Sequence, residues 1–388
     1  MKEKKSKQGW FAIVRMYTIS IVIGACLGVA ANVMPDSVKE FFGGLWHNEI
    51  YGTGTGFWWI DTILCIIAFV LAYYLQIILH EGGHLFAGLM SGYGFVSFRI
   101  GSFVFMFEGR KIKVKRFAIA GTGGQCLMSP PDGFDVKTVP YIRYNIGGVL
   151  ANCLASAVCF WILWMFQPPF PLNFFLAVMC FLGMLFSLMN GIPMKISGIA
   201  NDTYNILMLR KDMIARRAFM LQLKANALLS QGTRLREMPE EWFVLPPDAD
   251  FNNYLHVSIK MLEAGRLQDL GEQDEARRCL EELEPYLPRM IRIYRYEILC
   301  ELAFYKIISD ESREQIDEIL TPQLKKYATQ YSRFMLSKKR LLYAYALFVE
   351  KDNAKARQLY EEALQMKDSL PLKAEAESEI EMMERLTK

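Results

Sequence analysis

The chain has 388 residues, enough for two domains, and 52% of them are hydrophobic. Its formal net charge of +3 is too small to point to nucleic acid, and no basic stripe with interleaved aromatics suggests such a partner. The eight cysteines (Cys26, Cys65, Cys126, Cys153, Cys159, Cys180, Cys279 and Cys300) form no CxxC pair and lie mostly in apolar runs, which excludes a disulfide framework and a cysteine zinc site.

Four segments are apolar over the roughly 20 residues that a bilayer span needs. They run from Phe11 to Met34, Phe57 to Leu79, Ile146 to Phe166 and Leu172 to Ile192. The first follows the lysine-rich MKEKKSK and ends in the small residues GVAAN, as a secretory signal does. Its apolar run exceeds the ~7–15 residues of a signal core, so it reads as an uncleaved helix. Positive residues set orientation. They crowd the N-terminus (Lys2, Lys4, Lys5, Lys7) and the connection between spans two and three (Arg99, Arg110, Lys111, Lys113, Lys115, Arg116, Lys137, Arg143). The connection between spans one and two has only Lys39, and QPPFPLN after span three has no charge. Both termini are therefore expected in the cytoplasm.

Between spans two and three, FVSFRIGSFVFMFEGRKIKVKRFAIAG has β-type content, and KIKVK alternates with period two. A small β-hairpin or meander at the inner membrane surface is expected. GTGGQCLMSPPDG after it reads as an irregular loop. Beyond about Asn205 the composition turns charged and helical. GEQDEARRCLEELEPYLP and KDNAKARQLYEEALQMKDSLP share an outline, and SDESREQIDEILTP repeats it more weakly. Starts about 40 residues apart predict stacked helical hairpins of the tetratricopeptide type, with an ordinary helical bundle as the alternative. The expected class is mainly α: a polytopic membrane domain over residues 1–205 with a small β-hairpin, then a soluble helical domain over 206–388.

Inside the second apolar run stands LQIILHEGGHLFAGL. Ionisable groups are costly in a membrane, so His80, Glu81 and His84 need a reason to be there. On a helix, residues four apart share a face, and both imidazoles can reach one metal ion. Glu81, beside the first ligand, is placed to act as general base on a metal-bound water. A pair of satisfied interhelical polar groups is the alternative, and it leaves the triad unexplained. A catalytic zinc has three protein ligands as a rule. His47 is expected across the membrane and His256 in the repeat region, so a carboxylate is needed. Asp202, in NGIPMKISGIANDTYNI just past span four, suits that place. Capping the helix TYNILMLR is its alternative role. Two imidazoles and a carboxylate favour Zn2+, one per chain.

HEGGH in a membrane helix, followed two helices later by Asn-x-x-Pro and an aspartate, resembles the site-2 proteases, which are intramembrane zinc metalloproteases. The resemblance covers residues 55–205. It implies His80 and His84 as histidine ligands, Glu81 as the catalytic glutamate, and Asp202, after Asn190 and Pro193, as third ligand. Thr203 follows Asp202 where the family usually has glycine. Gly148 and Asn152 in GGVLAN are similar to a glycine-asparagine element of the intervening helix. The hairpin resembles the family's membrane-associated β element, which presents an edge to substrate.

The expected activity is hydrolysis of peptide bonds in a membrane-embedded protein or signal-peptide-like substrate. An unwound substrate segment would pair with the hairpin around residues 95–116. Asn190 or Asn152 would donate to the oxyanion, unless each serves as interhelical glue. Gly82 and Gly83 would admit span four or substrate, or simply pack tightly. The C-terminal repeats would recruit substrate or a cytoplasmic protein partner, and a bacterial plasma membrane is the expected location. A membrane-anchored scaffold with a structural or vestigial metal site is the rival reading. A transporter is disfavoured by four helices without an inverted repeat.

Overall fold

The computed structural model describes residues 55–108, 111–116, 123–196 and 199–387. The first expected span, Phe11 to Met34, and His47 lie outside them. Among the described residues three helices are long and apolar enough to cross a membrane: α1 (Trp58–Leu89), α2 (Tyr141–Phe166) and α3 (Leu172–Gly191). With 32 residues, α1 does not stop at Leu79 but runs on through HEGGH. No proline interrupts it, and at about 1.5 Å per residue it exceeds the ~30 Å hydrocarbon core.

The chain falls into two compact units, whose boundaries lie within these three helices. One comprises the described residues up to Ala72 and Ala157–Phe181; the other comprises Tyr73–Ser156 and the chain from Leu182 onward. Among its described residues the first has helix and one short connection, and they expose much apolar surface, with Trp58, Ile66, Leu71, Trp161 and Phe181 all more than half exposed.

The second unit contains an antiparallel sheet of β1 (Gly94–Ile100), β2 (Phe103–Glu108), β3 (Lys111–Arg116) and β4 (Gly124–Ser129), in the order β3-β2-β1-β4. The meander β1-β2-β3 agrees with the period-two reading. β4 does not, because it was expected to be loop. Its Cys126 and Met128 alternate inward and are buried against Tyr93, Tyr144 and the helix α5 (Met213–Gln231). That burial makes a strand of a glycine-led segment whose local signal favours a turn. Val104 and Met106 are buried on one face of the sheet, while Phe103, Phe107, Ile112 and Val114 remain 46–65% exposed.

A two-residue hairpin, β5 (Lys195–Ile196) with β6 (Ile199–Ala200), leads into α4 (Asp202–Lys211). After α5 come α6 (Tyr254–Leu270), α7 (Gln273–Glu281), α8 (Arg292–Ile308), α9 (Arg313–Ile319), α10 (Pro322–Tyr331), α11 (Leu336–Ala344), α12 (Asn353–Lys367) and α13 (Lys373–Arg385). Left-handed residues recur at Gly232, Gly271, Asp310 and Lys351, each following a helical stretch, at a period of about 40 residues. The last three precede α7, α9 and α12, the segments whose sequences share an outline. The apolar stripes of α7, α8, α10 and α11 build a core of Leu280, Ile298, Phe304, Leu324 and Leu341.

Polar residues join α8, α11 and α13. Arg340 and Lys338 are fully buried; Arg340 is 2.7 Å from both Glu301 and Glu379, and Lys338 is 2.8 Å from Glu297. Glu375 makes no hydrogen bond or ion pair among the described residues. Burial, and then the charge of Glu379, push its carboxyl up to about 7. The folded state therefore keeps this proton from about pH 4.5 to 7, where the unfolded chain has released it, and stability falls as pH rises through that window. Glu375→Gln is expected to raise the thermal midpoint at pH 8 and leave it unchanged near pH 4. The difference corresponds to at most about 3 kcal/mol.

Candidate metal centre

His80 and His84 lie one turn apart on α1, and Asp202 opens α4. Their ligand atoms converge. His80 Nε2 is 3.2 Å from His84 Nε2, and Asp202 Oδ2 is 3.2 Å and 3.4 Å from the two rings. The sequence alternatives for Asp202 separate cleanly here. Asn201, not Asp202, caps α4, accepting the Tyr204 N–H at 2.9 Å. Asn201 also accepts the Met194 N–H and donates to the Met189 and Ile192 carbonyls. Those four bonds fix the turn that delivers Asp202.

The hydrogen bonds behind the rings decide which nitrogens carry protons. His84 Nδ1 is 2.8 Å from the Tyr144 carbonyl, an acceptor only, so it donates. His80 Nδ1 is 2.6 Å from Asn152 Oδ1. Asn152 Nδ2 donates to the Gln76 carbonyl at 2.9 Å and to Gln76 Oε1 at 2.6 Å, so its oxygen must face His80. When neutral, both rings carry Nδ1–H and turn an Nε2 lone pair inward. Asp202 Oδ2 is buried without a hydrogen-bond donor. Three such atoms facing one another within hydrogen-bonding distance repel unless a proton or a metal cation sits among them. This donor set fits a metal ion.

Glu81 is held separately. Its Oε2 accepts the Cys126 N–H of β4 at 2.7 Å. The Cys126 carbonyl accepts the Tyr144 hydroxyl at 2.9 Å, and the Tyr144 carbonyl accepts from His84. A closed chain of bonds thus ties the edge strand to both the candidate ligand His84 and the glutamate. Arg99, almost fully buried, donates to the Gly101 and Gly124 carbonyls and steadies the same end of the sheet.

The glycines divide by what they touch. A Cβ at Gly83 would stand 2.3 Å from the Gly147 carbonyl oxygen, so Gly83 packs α1 on α2 rather than on the fourth expected span. A Cβ at Gly82 would meet nothing within 4 Å. Gly148 faces both histidines, and a Cβ there would be 2.6 Å from His80 Cε1 and from His84 Nε2.

The remaining candidates sit elsewhere. Asn190 donates to the Phe186 carbonyl one turn back in α3, at 3.1 Å. His256 is buried at α6, where it accepts the Asp250 N–H and lies 3.1 Å from Asp212. The sheet has two outer strands, β3 and β4. The open edge of the hairpin, β3, is separated from β4 by β2 and β1, about 14 Å at ordinary strand spacing. β4 is the strand beside Glu81. Sequence reading overlooked Gln76, four positions before His80, and Asn201; the i−4 spacing and the Asx before a helix were the available signals. Comparison with protein-family models, with curated proteins and with solved structures finds no match.

Proposed function

We propose that this protein is an intramembrane zinc metalloprotease of the site-2 protease kind. The observation that carries this reading is the convergence of three metal-ready acceptor atoms beside an oriented glutamate, on a helix apolar enough to lie in a membrane. Zinc suits the spacing. A tetrahedral ion with bonds of about 2.0–2.1 Å has ligand-to-ligand edges of about 3.3 Å, close to the separations here.

In this reading His80, His84 and Asp202 hold the ion. When bound, zinc supplies a water acidified to near-neutral pKa and polarises the scissile carbonyl. Glu81 takes the proton from that water, then gives it to the leaving amine. The Cys126 N–H orients the Glu81 carboxylate for both transfers. Asn152 orients His80 through Nδ1, in place of the oxyanion role. A substrate segment unwound from its helix pairs along the part of β4 that Glu81 leaves free. The exposed apolar face of β2 and β3, carrying Phe103, Phe107, Ile112 and Val114, suits a sheet lying against a membrane surface. Four spans, both termini in the cytoplasm and a bacterial plasma membrane complete the proposal, with the tetratricopeptide-like helices recruiting a protein partner or substrate.

Cells expressing the wild type and Asp202→Ala are compared by mass spectrometry of membrane-protein fragments and released peptides, alongside the zinc content of each purified protein. Fragments and zinc both lost in the variant are expected. Equal zinc in the two proteins would overturn the ligand assignment, and identical fragments would overturn the protease.

A further inference from the structure

Gln76 is fully buried in α1, four residues before His80 on the same helical face. An amide inside a membrane helix is costly unless its groups are satisfied. Its surroundings show what it does there. Asn152 has two amide hydrogens, and Gln76 accepts both, one on its backbone carbonyl and one on Oε1. An Asn152 flipped by half a turn would set its oxygen against those two acceptors and its NH2 against His80 Nδ1. Gln76 therefore permits only one orientation of the Asn152 amide. That orientation makes His80 Nδ1 a donor and leaves Nε2 as the inward lone pair. Room for the Gln76 amide comes from α3, where a Cβ at Gly183 would stand 2.5 Å from Gln76 Nε2.

We infer that Gln76 is a positioning residue of the metal centre, setting the tautomer and ring orientation of His80 through Asn152. This rests on the proposed metal site and adds a residue two hydrogen bonds removed from His80. Outer partners of histidine ligands typically change metal affinity 10–100-fold when removed. The orientation of the His80 ring thus depends on two groups in series, Asn152 and Gln76, both on the buried face between α1 and α2.

The test is a double-mutant cycle on the full-length protein in detergent, with zinc affinity read by competition against a chromophoric chelator. Gln76→Met is expected to weaken zinc binding about 10-fold. Gln76→Glu, whose carbonyl oxygen can accept the same hydrogen, is expected to stay within about twofold of the wild type. In an Asn152→Ala background, Gln76→Met is expected to add no further loss. A role in packing alone would instead give equal losses in both backgrounds, which would overturn the inference, as would wild-type affinity in Gln76→Met. If Gln76→Met does not fold, Gly183→Ala displaces the same amide and is read in the same cycle. A wild type that takes up no zinc would remove the metal site and this inference together; a wild type that binds zinc while the cycle shows no coupling removes only the inference.

Discussion

Glu81→Gln is expected to abolish peptide-bond cleavage while leaving zinc uptake at the wild-type level. Glutamine keeps an oxygen that can accept the Cys126 N–H, so the link between α1 and β4 survives. It cannot take a proton from water at neutral pH, and general-base catalysis of this kind contributes about 10²–10⁴-fold. The proposed ligands His80, His84 and Asp202 are untouched. In cells, uncleaved precursors should accumulate and their fragments disappear. The same variant separates the protease from a membrane-anchored scaffold with a structural metal, because a structural site has no use for that carboxylate. If cleavage and precursor levels are unchanged with both proteins present in equal amounts, the scaffold reading replaces the protease.

Gly148→Ala is expected to remove the metal without altering any ligand. One methyl group at this position would lie 2.6 Å from atoms of both histidine rings. Neither ring can easily give way. His80 is tied by Nδ1 to Asn152 and His84 to the Tyr144 carbonyl, and rotating either ring breaks a buried hydrogen bond. Such breaks cost about 1–3 kcal/mol each, enough to lower zinc affinity roughly 10–100-fold or more. Gly82→Ala supplies the contrast within HEGGH itself. Its Cβ meets nothing within 4 Å, so zinc affinity and cleavage should match the wild type. Zinc content by elemental analysis checks both variants. Equal retention in the two would mean that the His rings are not packed against Gly148.

Some of this protein follows from local sequence alone. The apolar runs of α1, α2 and α3 are long enough that their helical state needs no partner, since lipid and protein interior favour the same hydrogen-bonded backbone. The i, i+4 spacing of His80 and His84 places them on one face whatever surrounds them. The recurring outline at Gly271, Asp310 and Lys351 likewise reflects helix ends, which are written in local residues. Other features were decided only by tertiary contact. β4 is a strand because Cys126 and Met128 find a core to enter, which no local pattern in GTGGQCLMS announces. The two glycines of HEGGH are adjacent and chemically identical, yet only Gly83 meets another backbone, because the face that α1 turns toward α2 is set by packing. Asp202 stands beside two histidines more than a hundred positions earlier because Asn201 knots the turn before α4. The role of Gln76 exists only across α1 and α2, since a hydrogen-bond partner 76 positions away leaves no trace in either segment read by itself. Local interactions act over one helical turn and are carried by neighbouring residues; the orientation of a metal-ligating ring depends on atoms brought together by folding.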